Sequence, residues 1–157
     1  MEMVPYWGID NTKLGDTRSE IKKILGKPDK IKKRVEQRET IADIWTYRLM
    51  RLELEFYALH DFRLSKIISR HPGTLVLGFN PIGLNERYLL QKFPSLREIE
   101  SHDHFQVFFD DSLKLSFTLV REKTESVTLH PETGENTEEV IWLVSYTHLT
   151  LPTIYSV

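Results

Sequence analysis

The chain of 157 residues contains no cysteine. That excludes disulfides, thiolate nucleophiles, cysteine zinc sites and lipidation of an N-terminal cysteine. No apolar run approaches the roughly 20 residues that span a bilayer. An excess of either charge is also lacking. Lys and Arg number 21 against 23 Asp and Glu, so no global field draws the chain to nucleic acid. Residues 1–11 have neither a basic segment nor an apolar h-region, so no export signal is read and a cytoplasmic location is expected. The catalytic signatures are missing as well: there is no G-x-S-x-G, P-loop, H-E-x-x-H or G-x-G-x-x-G. An enzyme is therefore not expected, and neither is a cofactor.

Hydrophobic residues make up 40% and charged residues 28%, enough for one globular domain. Residues 144–157, VSYTHLTLPTIYSV, hold no Asp, Glu, Lys or Arg. They resemble a translated sequencing-library adapter and are set apart as a non-native tail. The fold is accordingly read over 1–143.

Thr17-Arg18-Ser19-Glu20 has capping-box spacing, and Ile21, Ile24 and Leu25 form an apolar stripe behind it. Gly26 and Pro28 end the helix predicted over about 17–25. A second helix is predicted over about 85–93, with Asn85 as N-cap and Pro94 as stop. Strands are predicted at 31–38, 41–49, 52–57, 62–69, 104–109 and 113–121. A hairpin is predicted between 126–130 and 138–143, around an acidic loop at 131–137.

Leu14-Gly15 opens the first helix, and Ile82-Gly83 opens the second 68 residues later. Leu52, Leu54 and Phe56 recur in pattern as Leu113, Leu115 and Phe117. The expectation is an α+β fold: two α-β-β-β pseudo-repeats, about 12–73 and 74–143, sharing one antiparallel sheet with both helices on one face.

The run Leu14-Gly15-Asp16-Thr17-Arg18-Ser19-Glu20-Ile21, closing with Leu25-Gly26-Lys27-Pro28, resembles a known helix pattern. It is similar to that of SmpA/OmlA-type outer-membrane assembly lipoproteins and of the beta-lactamase inhibitor protein family, and Trp45-Thr46-Tyr47 fits the W-x-Y strand that follows. The resemblance covers 14–57 and extends more weakly over 82–121. It implies a tandem layout like that of small bacterial immunity-type proteins. The lipoprotein branch requires the cysteine this chain lacks.

Several clusters hold residue types that can carry chemistry. His102-Asp103-His104, near Asp110 and Asp111, has metal-like spacing but reads as a polar loop. Lys27, Lys30, Lys32, Lys33 and Arg34 form a basic run without interleaved aromatics, read as a solvated edge. Glu132, Glu135, Glu138 and Glu139 form an acidic set that could attract a basic partner but reads as a solvated hairpin tip. Glu53 and Glu55 sit about 7 Å apart on one strand face and read as its wet side. Trp45 and Tyr47 read as core.

The expected function is a small binding protein of immunity or inhibitor type. It would occlude a protein partner, a toxin or an enzyme, with its exposed sheet face. The residues expected there are Arg48, Glu53, Glu55, Tyr57, Lys114, Ser116 and Thr118. Neither nucleic acid nor membrane is expected as a partner. The alternative is a small-ligand binder, for a nucleotide or metabolite, with a cleft between the pseudo-repeats.

Overall fold

The computed structural model describes residues 1–133, 140–143 and 152–154. Three short strands open the chain: β1 (Glu2–Val4), β2 (Gly8–Ile9) and β3 (Thr12–Lys13). Helix α1 (Arg18–Leu25) leads into β4 (Lys30–Glu36), β5 (Glu39–Tyr47), β6 (Leu52–Tyr57) and β7 (Arg63–Ser69). After β8 (Leu75–Val76), α2 (Glu86–Lys92) leads into β9 (Arg97–His102), β10 (Phe105–Asp110), β11 (Leu115–Val120) and β12 (Lys123–Leu129). The remaining strands are β13 (Glu132–Thr133), β14 (Val140–Leu143) and β15 (Pro152–Ile154).

Helix α1 begins where two orphan amides are satisfied reciprocally. Thr17 Oγ1 accepts from the Glu20 amide at 3.2 Å, and Glu20 Oε1 accepts from the Thr17 amide at 3.3 Å. It stops at Gly26, whose φ of 82° suits a residue without Cβ and whose N–H returns to the Lys22 carbonyl. Tyr47 Oη donates to the Gly26 carbonyl at 2.8 Å and pins the helix end to β5. Thr17→Ala is expected to cost about 1 kcal/mol, read as a lower urea midpoint with an unchanged slope.

Each helix is followed by four strands, and the eight form one antiparallel sheet ordered β4-β5-β6-β7-β12-β11-β10-β9. The last strands of the two halves meet at its centre, where Ser69, Ile68 and Ile67 face Val127, Thr128 and Leu129. The first strands, β4 and β9, form its edges. Both are exposed along their whole length and rich in charge, which discourages edge-to-edge association. Register shifts fall at matching places in the two halves: between the first and second strands (β4/β5, β9/β10) and between the third and fourth (β6/β7, β11/β12).

This architecture overturns the α+β expectation of two α-β-β-β units. The structure is mostly β, with half of the described residues in strands and 14% in helices. Each unit carries four strands rather than three, and α1 and α2 are about two turns each, too short to form a layer over eight strands. Part of the core is instead closed by a second sheet, ordered β3-β2-β1-β8, which contributes Met3, Ile9 and Val76. Among the described residues, the hairpin expected between 126–130 and 138–143 is also not formed. Strand β12 pairs with β7 and β11, while β14 pairs with β13 and β15. Of the adapter-like tail, only 152–154 lie within the described residues.

The core gathers Ile21 and Leu89 from the helices with one face of the large sheet. Trp45, Leu54, Phe56, Ile67, Leu129, Leu115 and Phe117 are among the buried residues there. Trp45 stacks at a tilt on Phe56, centroids 4.8 Å apart, and Phe93 on Phe117 at 4.9 Å. Among the described residues the buried Trp45 Nε1–H has no hydrogen-bond partner. Period-2 alternation sends the intervening side chains to the opposite, outer face.

Candidate functional site: the outer sheet face

Register defines the outer face. Glu55 of β6 lies opposite Lys66 of β7, and Ile68 of β7 opposite Thr128 of β12. Thr128 lies opposite Ser116 of β11, and Ser116 opposite Phe109 of β10. A groove of about 470 Å³ runs across this face from β7 to β9. Its apolar lining is Ile68, Ile99, Val107 and Phe109, and its polar lining is Lys66, Arg97, Ser116, Thr118, Thr128 and His130. Among the described residues no carboxylate lines it.

His130 anchors one side. It lies 2.9 Å from Ser116 Oγ and meets the Phe109 ring edge-on, centroids 5.7 Å apart. Burial, with the nearby Lys66 and Lys114 ammonium groups, pushes its pKa down to about 4. The imidazole is therefore neutral at pH 7, and the positive charge lining the groove is that of Lys66 and Arg97.

Beside the groove lies a polar belt on β4, β6 and β7. Tyr57 Oη donates to Glu55 Oε1 at 2.9 Å, Arg34 Nη2 approaches the same oxygen at 3.8 Å, and the Lys66 ammonium stands 6.0 Å from the centre of the Tyr57 ring. Burial and the Glu55 carboxylate hold the Tyr57 phenol protonated, its pKa well above 10.

The seven residues expected at the partner surface divide into three groups. Ser116 and Thr118 line the groove. Glu53, Glu55 and Tyr57 share its face from β6, three strand spacings or about 14 Å from β11. Arg48 and Lys114 lie in turns, where Lys114 Nζ pairs with Asp111 at 3.0 Å. The face is less open than its alternation implied. Glu55 is 5% exposed and Ser116 7%, because Tyr57, Arg34 and His130 bond to them.

Lys66, Arg97, Ile99, Val107, Phe109 and His130 were not singled out from sequence. Alternation along Phe105–Asp110 could have flagged Val107 and Phe109. Nothing local reveals that β7 and β12 pair and so bring Lys66 and His130 together. The other sequence clusters stay scattered. His102 bonds Glu100 at 3.0 Å on the exposed β9 edge. Among the described residues no group of three His, Asp or Glu side chains is placed to hold a metal. The basic run lies on and just before the exposed edge strand β4. Of the acidic set only Glu132 falls within the described residues.

A second concavity, about 670 Å³, opens at the junction of the halves, where β7 ends and the first part of β12 runs on without it. Arg48, Arg51, Arg70, Lys123 and Glu125 rim it, and Tyr47, Leu52, Ile82 and Val120 contribute apolar surface. Burial, with help from Asp29, raises the Tyr47 pKa to about 12, so its hydroxyl remains a donor to Gly26.

No family model matches the chain, and no curated protein does. Among solved structures, a DUF4309 family protein of Bacillus subtilis is similar at 14% identity and a TM-score of 0.51. The match covers 81% of this chain and 88% of that one. An extracellular SCP-domain protein of Bacillus anthracis is 11% identical with a TM-score of 0.45, covering 73% of this chain and 43% of that one. This chain thus spans less than half of the latter's length. At 14% identity the B. subtilis match is a likeness of fold alone. No described helix is long and apolar enough to cross a membrane.

Proposed function

We propose that this chain is a cytoplasmic binding protein of immunity or inhibitor type that occludes a protein partner with its outer sheet face. The observation that carries this reading is the β7–β9 groove. An apolar floor ringed by Lys66 and Arg97, with no lining carboxylate among the described residues, suits a partner segment that sets an acidic side chain among apolar ones. Of the expected surface residues, Ser116 and Thr118 line the groove, Glu53, Glu55 and Tyr57 share its face from β6, Lys114 lies in the turn before β11, and Arg48 stands apart at the junction concavity. The motif resemblance of residues 14–57 points the same way.

The product of the gene beside this one, a toxin or enzyme, is the partner to test. It is expected to bind this chain and to lose activity when bound. Arg97 lies on the exposed edge strand, so Arg97→Glu is expected to leave folding intact and weaken binding about tenfold or more, chiefly through slower association. Failure of the neighbouring product to bind overturns the function. Binding unchanged by Arg97→Glu overturns the placement.

A further inference from the structure

The junction concavity is built differently from the groove. Antiparallel pairing between β7 and β12 covers only three residue pairs, ending at Ser69 and Val127. Beyond that point the sheet has no β7 strand, and the β5–β6 turn and the start of β12 flank the gap. The Arg70 amide donates to the Arg51 carbonyl at 2.9 Å, which fixes these two residues side by side. Arg48 belongs to the same turn as Arg51, and Lys123 opens the opposite wall.

Among the described residues, four cationic side chains thus rim a space that holds one carboxylate, Glu125. Among the described residues, the Arg48, Arg51 and Arg70 guanidinium groups hold no hydrogen bond or ion pair. By contrast, Arg18 pairs with Asp43 at 2.5 Å, and Arg63 donates to the Gly15 carbonyl at 2.9 Å. Guanidinium forks match phosphate and carboxylate oxygens bidentately. The volume of about 670 Å³ lies within the range of small-molecule sites, and the floor is apolar.

We propose that this cleft binds a small organic anion. Its phosphate or carboxylate head group would sit among Arg48, Arg51 and Arg70, with an apolar body on Leu52, Ile82 and Val120. The site lies at the end of the sheet, outside the β7–β9 groove, and does not depend on the partner-binding reading.

Calorimetric titration of the full chain at low salt tests it, with adenosine monophosphate and citrate as the two anion types and adenosine as the uncharged control. At least one anion is expected to bind, and adenosine to bind at least about tenfold more weakly. Arg51→Ala with Arg70→Ala is expected to weaken anion binding about tenfold or more, as is a rise in ionic strength that shortens screening to about 3 Å. The melting temperature of the double variant reports whether it folds. Should it unfold, Arg48→Ala with Lys123→Ala replaces it. Binding of the phosphate alone or citrate alone identifies the head group. Absence of binding by both anions overturns the proposal, as does equal binding of adenosine or full affinity in the folded variant. Partner binding at the groove is unaffected in every case, so failure of one reading is distinguishable from failure of the other.

Discussion

Replacing Phe117 by alanine is expected to remove about 3–5 kcal/mol of stability. Phe117 lies in β11, one strand from the central β7–β12 pair, and is fully buried. Its ring rests on Phe93, just past the end of α2. Alanine would leave a cavity that the eight-stranded sheet, tied on both sides of β11 by backbone bonds, cannot collapse to fill. Domains of this kind are stable by about 5–15 kcal/mol, so the loss is a large share of the total. Urea unfolding followed by tryptophan fluorescence reads it. As a control, Ile99→Ala on the edge strand, where the side chain is 55% exposed, is expected to change stability by about 0.5 kcal/mol or less. A Phe117→Ala loss as small as the control's would mean that the β11–α2 contact does not form.

The second large effect is a loss of stability in acid, traceable to His130. Its folded pKa of about 4 lies below the unfolded value of about 6.5. Above pH 6.5 the ring is neutral in both states and contributes no pH dependence. Between about 6.5 and 4 the unfolded chain binds a proton that the folded chain refuses, so stability falls as pH falls. The difference amounts to about 3 kcal/mol across that window. The cationic neighbours Lys66 and Lys114 reinforce burial in excluding the second charge. His60, also depressed by burial, acts in the same direction. Asp16, whose carboxyl is raised by burial, acts in the opposite one. The comparison is therefore between wild type and His130→Gln, which keeps a polar group near Ser116 but cannot titrate. The variant is expected to lose about 3 kcal/mol less between pH 6.5 and 4. Equal acid sensitivity of the two proteins would show that His130 is not buried as described.

Local signals were legible where one chemical reason dominates. The Thr17 capping box, the Gly26 stop and the Asn85 cap appear at the expected positions. The alternation of Leu52, Leu54 and Phe56, and of Leu115, Phe117 and Leu119, puts them in the core. Strand β9 was missed because an edge strand exposed on both faces has no alternation to read. Strands β1 to β3 are two or three residues long, too short for a period to register. Overlooking such strands is why the helices looked like half of the architecture and the fold was read as α+β. Strand β12 was placed in the wrong partnership because Thr124, Ser126 and Thr128 are polar yet buried. Composition marks them as a surface hairpin, whereas their hydroxyls and small size let them sit inside a crowded sheet.

The candidate site was legible in part for the same reason. Ser116 and Thr118 lie on a strand whose two faces differ clearly, and so were assigned to the outer face. The groove also needs Lys66 from β7, His130 just after β12 and Arg97 from β9. Those come together only through the β7–β12 pairing and the β9 edge. Long-range pairing of this kind leaves no trace in local spacing.

The central proposal, that the outer face engages a protein partner, is tested most directly at Thr118. This half-buried residue on β11 lines the groove, and among the described residues its side chain has no bond of its own. Thr118→Arg would fill the groove and add positive charge with little disturbance of the core on the opposite face. The measurement is the dissociation constant for the neighbouring gene's product, taken on wild type and on Thr118→Arg of equal melting temperature. Weakening by about a hundredfold, roughly 3 kcal/mol, is expected. An unchanged dissociation constant would contradict the assignment of the outer face as the docking surface.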